Sequence, residues 1–330
     1  MEAIAMRNIG IEFIQRGKAV LKDIGSAPKP GPDEILIETA YSGITNGTER
    51  HALMAEHLWE QFPSCHGYQQ VGRIVSKGSH VKNFSDGQWV FLGQYVGHRS
   101  WNLVNVGQTA SHNDNNSHLV IALPDDIEKE LCALLGVAGV ALRGIRRFGV
   151  NSGQKVWVCG QGLIGSFAAQ TAKAYGGHVT VSDINQDRLG RAQTWEADVV
   201  LDANNKKDLL ASLKENGPYD HIIDGSGVAP LMDDIKDSNL LAHHGCIGLL
   251  AVRTNAEFWW PLLHATEGSI EVSCHFSLED LQILIHFVQQ GTIQIEPMIS
   301  HRVPVEQAVE IYEKLRKNPS KLCGIIFDWV

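Results

Sequence analysis

The chain has 330 residues, 44% of them hydrophobic and 20% charged, with a formal net charge of −9. That length exceeds one ordinary core and implies two domains, while the apolar-to-charged balance excludes a disordered chain. The negative charge disfavours nonspecific binding to nucleic acid or to an anionic membrane, because like charges repel.

The opening stretch MEAIAMRNIGIEFIQRGKAV has neither a long apolar core nor a cleavage signal. No segment holds about 18 uncharged apolar residues, so no membrane span is expected, and a reducing cytoplasm is the expected location. From there to residue 120, short apolar runs alternate with Gly, Pro, Asn and Asp. EILIETAYSG, QQVGRIVSKG, GQWVFLG and SHLVIALP read as strands by their β-branched content, with KPGPDE and FSDGQ as turns between them. This part reads as an irregular β-rich domain.

The rhythm changes near residue 124, where PDDIEKELCALLGVAGVALRGIRRFGV places Pro and acids ahead of apolar residues at helical spacing. KVWVCG, QGLIGSFAAQTAKAYGG and HVTVSD then form a strand, a helix and a strand. NQDRLGRAQTWEA, DVVLDA, KKDLLASLKENG, DHIIDGSG, APLMDDIKDSNLL and GCIGLLAV continue the alternation. Strands and helices in regular turn imply a doubly wound α/β domain, a parallel sheet covered on both faces. Beyond residue 255, SIEVSCHF, SLEDLQILIHFVQQG, VPVEQAVEIYEKLRKN and KLCGIIFDW are too short for a separate core and are expected to return to the first domain. The expected division is 1–123 with 266–330 for the β-rich domain and 124–265 for the α/β domain.

CGQGLIG sets Gly160, Gly162 and Gly165 in the pattern G-x-G-x-x-G between a strand and a helix. Gly160 allows the tight turn, Gly162 lets the backbone approach a pyrophosphate, and Gly165 lets helix and strand pack closely. Leu163 and Ile164 lie at the helix start, whose free N–H groups and positive dipole end suit phosphate. Asp183 ends the second strand; a carboxylate there accepts hydrogen bonds from ribose hydroxyls and repels a 2′-phosphate, which favours NAD over NADP. Arg188 either stacks on the adenine or pairs with Asp187. Ser226, in DHIIDGSG, completes the expected cofactor set.

The order of β-rich segment, nucleotide-binding domain and C-terminal return resembles the medium-chain dehydrogenase/reductase superfamily, of the zinc-type alcohol dehydrogenase-like kind. The echoes are PGPDEILIETAYSGI, GYQQVGRIVSKGSHVKNFSDGQWV, ALLGVAGVALRGI and the glycine fingerprint. SGITNGTER most closely resembles a zinc-lacking branch that includes bacteriochlorophyllide dehydrogenase and sugar- or cyclitol-type oxidoreductases. The resemblance implies a GroES-like β-rich catalytic domain and a Rossmann nucleotide-binding domain, with nicotinamide and substrate in the cleft between them. It also implies a homodimer, since GCIGLLAV resembles the family's dimerisation strand at the sheet edge.

Zinc-dependent members read roughly GICGTDLH where this chain reads GITNGTERH, with one extra residue and Asn46 where the cysteine ligand is expected. The family's GHE becomes Gly67, Tyr68, Gln69, and the third ligand position falls near Val137. None of these side chains suits zinc. The six cysteines (Cys65, Cys132, Cys159, Cys246, Cys274 and Cys323) are scattered without a CxxC pair, so no structural zinc is expected either. His51, His57, His66, His98, His112 and His118 are the nearby imidazoles that would have to rebuild a site.

Without a metal, the chemistry still needs a proton acceptor and a group that stabilises the developing alkoxide. By resemblance, Thr48 falls where a hydroxyl contacts the reacting oxygen, and His51 where an imidazole passes the proton to solvent. The plainer alternative makes Thr48 the cap of a helix opening at Glu49 and His51 a solvated residue. Tyr68 either hydrogen-bonds the substrate oxygen or fills the volume left by zinc. Asn46 and Gln69 are suited to orienting polyol hydroxyls, and Glu49 is expected to pair with Arg50 or another base. Trp259-Trp260 read as cleft, core or interface residues; His243-His244 and Trp101-Asn102 read as loop residues.

The reading is a zinc-independent, NAD-dependent oxidoreductase that interconverts a polar secondary alcohol (a sugar, cyclitol or similar) and its ketone. The alternatives are a reductase of activated C=C bonds, of the quinone or enoyl kind, and a non-catalytic dinucleotide-binding homologue.

Overall fold

A computed structural model describes residues 7–56, 60–107, 119–195, 197–253 and 257–330. His57, His112 and His118 lie outside the described residues. The chain divides into two compact units, the first comprising Met1–Gly136, Ser277–Leu281 and Ile299–Val330, the second Val137–Phe276 and Gln282–Met298.

The first unit is the GroES-like one. It opens with a hairpin of β1 (Arg7–Gln15) and β2 (Lys18–Ser26), which the sequence reading missed. Its main sheet runs β14 (Ile299–Pro304), β15 (Gly324–Asp328), β3 (Glu34–Gly43), β4 (Gln70–Lys77), β5 (Trp89–Leu92), β7 (Val120–Ala122). β6 (Trp101–Asn105) also pairs with β3. Trp101 and Asn102 therefore belong to a strand and are buried, not in a loop; Asn102 Nδ2 donates to Thr39 Oγ1 and Gln70 Oε1 at 3.0 and 3.1 Å.

Two helices cover this unit's second core. Helix α1 (Asn46–Leu53) leaves β3 after two residues, and α9 (Ala308–Lys317) arrives just before β15. Ala308, Ile311, Tyr312 and Leu315 of α9 follow the i, i+3, i+4, i+7 spacing of an apolar stripe, and all four are buried against Ile44, Leu53 and Phe327.

The second unit is a Rossmann sheet. After α2 (Leu135–Phe148) come β8 (Lys155–Cys159), α3 (Leu163–Ala174), β9 (His178–Asp183), α4 (Gln186–Thr194), β10 (Val199–Asp202) and α5 (Lys206–Asn216). β11 (Tyr219–Asp224), α6 (Leu231–Ser238), β12 (Leu241–Leu249), α7 (Trp260–Thr266), β13 (Ser269–Val272) and α8 (Leu278–Gln289) complete the alternation. The six strands are parallel in the order β10-β9-β8-β11-β12-β13. That order reverses between β8 and β11, which is where dinucleotides bind in such sheets.

Three expectations change here. The helix foreseen from Pro124 begins only at a 3-10 turn, Leu131–Leu134, because the Lys129 ammonium donates to the carbonyls of Pro124, Asp125 and Ile127 and closes a tight turn. GCIGLLAV is not the sheet edge, since β13 pairs along β12's outer side and takes that place. His243 and His244 belong to β12 itself, not to a loop before it.

Candidate active site

The switch point of the second unit holds the glycine cradle. Gly160 follows β8 with φ 86°, and a Cβ added there would meet Ser226 Cβ at 2.8 Å. At Gly165 an added Cβ would strike the Gly160 carbonyl, so the helix can approach the strand only as glycine. In front of Gly162, by contrast, no atom of the other described residues beyond its chain neighbours lies within 4 Å of an added Cβ, and among the described residues no side chain caps the α3 N-terminus it begins. An open, uncapped helix end carrying the amides of Leu163, Ile164 and Gly165 is a donor set for a pyrophosphate. These residues fit a dinucleotide.

Asp183 closes β9 and is buried. Its Oδ2 accepts from the Gln161 amide at 2.6 Å and its Oδ1 from the Asn185 amide at 2.8 Å, which fixes the carboxylate beside the cradle. Oδ1 keeps a lone pair for a ribose hydroxyl. Arg188 reaches this same carboxylate, with Nη1 3.5 Å from Oδ2, rather than Asp187. On the opposite side, the buried Asp224 at the end of β11 accepts from Ser226 N (2.9 Å), Ser226 Oγ (3.0 Å) and Gly227 N (2.8 Å), and it is ion-paired with Arg253. Sequence reasoning named Ser226 but not the Asp224–Arg253 pair that anchors its turn. The signal was available: an acid ending a core strand and running into GSG.

In the first unit, the segments that resemble the family's zinc-ligand stretches carry hydrogen-bonding side chains. Thr45 is the N-cap residue of α1, yet its hydroxyl does not cap the helix. Instead it accepts from Gln69 Nε2 at 3.2 Å. Gln69 and Tyr68 converge on Gly136, where an added Cβ would lie 2.7 Å from Gln69 Oε1 and 2.9 Å from Tyr68 Cε2. Tyr68 is buried, with its ring 4.9 Å from that of Tyr95. Asn46 Oδ1 is buried and makes no hydrogen bond among the described residues. A threonine hydroxyl, a phenol and carboxamides are not zinc donors, so this set does not fit a resident catalytic zinc.

Thr45, directly after Ile44, therefore stands with Tyr68 and Gln69, while Asn46 is one residue further along. Asn46, expected at the cysteine's position, is thus the direct neighbour of the residue that Gln69 reaches. Thr48 lies half-buried in the first turn of α1, so it is not the cap of a helix opening at Glu49. His51, one turn on, is 37% exposed, with Nε2 3.3 Å from Glu56 Oε2.

Behind Thr45 lies a buried polar network that sequence reasoning did not assemble. Glu49 is 1% exposed. Its Oε1 accepts from the Thr45 amide at 2.7 Å, and its Oε2 accepts from Tyr312 Oη at 2.5 Å and His98 Nε2 at 3.1 Å. His98, also 1% exposed, meets Ser42 Oγ through Nδ1 at 2.8 Å, and Trp329 Nε1 donates to the same hydroxyl at 2.8 Å. Burial pushes the Glu49 carboxyl up, but His98 beside it and the bonds from His98, Tyr312 and Thr45 bring it below the ordinary carboxylate value. Burial and the Glu49 charge push the Tyr312 phenol well above its ordinary value. Glu49 thus pairs with His98, not with Arg50, which is bound to Glu56 at 3.1 Å.

Trp259 and Trp260 are both exposed; Trp259 Nε1 donates to Asp233 at 2.9 Å and Trp260 stacks on His264.

Comparison with known proteins agrees with this picture. Residues 31–141 match the family "Alcohol dehydrogenase GroES-like domain" and residues 164–290 match "Zinc-binding dehydrogenase". The chain is 26% identical to sorbitol dehydrogenase of Bos taurus over 319 residues, covering 88% of each protein. It is 26% identical to L-galactonate-5-dehydrogenase of Escherichia coli over 342 residues, covering 97% of this chain and 99% of that one. The crystal structure of 2R,3R-butanediol dehydrogenase from Bacillus subtilis has the same fold, with a TM-score of 0.85 at 17% identity over 98% of this chain and 100% of that one.

Proposed function

Since the chain belongs to the medium-chain, zinc-type alcohol dehydrogenase-like superfamily, we propose that it is an NAD-dependent oxidoreductase that works without a catalytic zinc. Its substrate is a polar secondary alcohol or the corresponding ketone, of the sugar or cyclitol class. The observation that carries this reading is Thr45 hydrogen-bonded to Gln69, beside Tyr68, where a zinc site would need thiolate, imidazole and carboxylate.

Bound NAD supplies the hydride acceptor for the alcohol carbon. The cradle at Gly160, Gly162, Leu163, Ile164 and Gly165, with Asp183, Arg188 and Ser226, holds it. Because Thr45 Oγ1 accepts from Gln69, its own proton is free to donate to the substrate oxygen as negative charge develops there. Tyr68 is the second candidate donor at that oxygen. Asn46 Oδ1, an unsatisfied buried acceptor, suits a neighbouring substrate hydroxyl, and such an acceptor favours a polyol over a simple alcohol. Thr45, the N-cap residue, precedes Thr48 and His51 at intervals of three, and Thr48 and His51 neighbour each other on the surface of α1. The alcohol proton leaves along that row and reaches solvent at His51, whose partner is Glu56.

The relatives act on sorbitol and L-galactonate by their names, and their chemistry supports the polyol class. The wider reading includes a cytoplasmic homodimer.

The test is reduction of NAD at neutral pH with a panel of polyols, cyclitols and hydroxyethyl compounds, before and after exhaustive chelation. Turnover is expected with NAD and is expected to survive chelation. Activity lost on chelation and restored by zinc would end the zinc-free reading; a strong preference for NADP would end the argument from Asp183. Oxidation of reduced nicotinamide by enones but not ketones would install C=C reduction instead.

A further inference from the structure

In a regular strand, successive side chains point to opposite faces. His243 and His244 on β12 break that rule. β12 pairs with β11 at Leu241↔Tyr219 and next at Cys246↔His221, so four residues of β12 span what one residue of β11 spans. The excess bulges out, and His244 within it takes φ 61°. The left-handed residue turns the two imidazoles together, with ring centroids 4.1 Å apart.

The third member comes from another element. Glu267 ends α7 in the left-handed region, with φ 49° and ψ 34°, where glycine is the usual residue. Its carboxylate comes within 3.9 Å of His243 Nε2 and 3.7 Å of His244 Nδ1. One donor atom from each residue lies within 4.8 Å of the other two. Two non-glycine residues in a sparsely populated conformation, on separate elements, therefore aim three donors at one point. Such strain persists where a site repays it.

We propose that His243, His244 and Glu267 form a surface site for a divalent transition ion of the zinc class. Two imidazoles and one carboxylate suit zinc and its neighbours, whereas magnesium and calcium prefer oxygen donors alone. Zinc bonds of about 2.0–2.2 Å bring tetrahedral donors to roughly 3.3 Å apart. The donors close that remaining gap by side-chain rotation, which solvent exposure allows: the three side chains are 59%, 68% and 67% exposed. Three protein donors leave the fourth position to water. The ion clamps the turn between α7 and β13 onto the β12 bulge. These residues sit at the start of β12, and the glycine cradle follows the end of β8; in a parallel sheet those are opposite edges. The site is thus separate from the redox chemistry and does not rest on it.

The experiment is calorimetric titration of zinc chloride into tag-free full-length protein that has been stripped with chelator. One zinc per chain is expected, with no heat from magnesium chloride. His243→Ala and His244→Ala should each weaken binding by about tenfold or more, as expected for losing one of three ligands, and Glu267→Gln should weaken it as well. Zinc should raise the thermal midpoint of the wild type and leave that of His243→Ala/His244→Ala unmoved. Circular dichroism verifies that each exposed-site variant is folded. A wild type that binds no zinc overturns the proposal. So does a double variant that binds zinc, or is stabilised by it, as the wild type is.

Discussion

Replacing Glu49 by Gln probes the centre of the first unit without changing its shape. The wild-type carboxylate accepts three hydrogen bonds, from the Thr45 amide, Tyr312 and His98. Each bond to a charged group is worth roughly 1.5–3 kcal/mol, but bonds sharing one acceptor group do not add. Removing one partner of a buried ion pair costs about 3–5 kcal/mol. The carboxamide keeps one oxygen acceptor, and its NH2 must face either the Thr45 N–H or the Tyr312 and His98 side. Only the second choice is tolerable, since Tyr312 Oη can turn to accept. We therefore expect Glu49→Gln to lose about 3 kcal/mol and Glu49→Ala about 5 kcal/mol. The sign with pH follows from the lowered Glu49 value. A carboxyl whose native pKa lies below its unfolded value stabilises the fold above that unfolded value, about 4.3, and the contribution is lost as pH falls through the native value. Urea unfolding of wild type and Glu49→Gln across a pH series should show the full gap at neutral pH and a shrinking gap below about pH 4. A gap under about 1 kcal/mol at neutral pH, or one that stays constant into acid, would refute the ionised network.

Thr45→Val should lower kcat about 100-fold, the cost of one donor at a developing oxyanion, while Thr45→Ser stays near wild type; equal losses in both would remove the hydroxyl from the chemistry. Tyr68→Phe should reduce turnover with little change in NAD affinity, and unchanged turnover would leave the ring a space-filler against Tyr95. Asp183→Ser should shift the kcat/KM ratio toward NADP by about tenfold or more, because the carboxylate that repels a 2′-phosphate is gone; an unmoved ratio would exclude Asp183 from cofactor choice. Tyr312→Phe should cost about 2 kcal/mol at neutral pH. The raised phenol value means that its contribution is present below the unfolded pKa of about 10 and lost as pH rises beyond it, so the variant's alkaline unfolding limb should be shallower than the wild type's.

The glycine cradle of the second unit and the polar cluster of the first differed in how much of them could be read from sequence, and the difference has a physical cause. A dinucleotide cradle is made by backbone, and backbone demands show locally: Gly160 and Gly165 are glycines because an added Cβ meets Ser226 and the Gly160 carbonyl. Asp183 stands at a fixed place because the strand ends there. The two glycines and the acid lie within 24 residues, in a segment of strongly periodic elements.

The polar cluster of the first unit is made by side chains that meet through the fold, and its partners are far apart in the chain. Thr45 finds Gln69 across 24 positions, His98 finds Glu49 across 49, and Tyr312 finds Glu49 across 263. Tyr312 shows the difficulty most clearly: its place in the α9 stripe marks it as core, correctly, and nothing local says that its hydroxyl ends on a carboxylate. The extra residue after Ile44 adds a second obstacle: counting along GITNGTERH marks Asn46, and the hydrogen bond from Gln69 goes to its neighbour Thr45. A motif read by spacing assumes that the spacing survives the loss of the ligand it served. Spacing along the chain does not report which of two adjacent side chains a fold turns toward a partner; here the bond from Gln69 goes to Thr45.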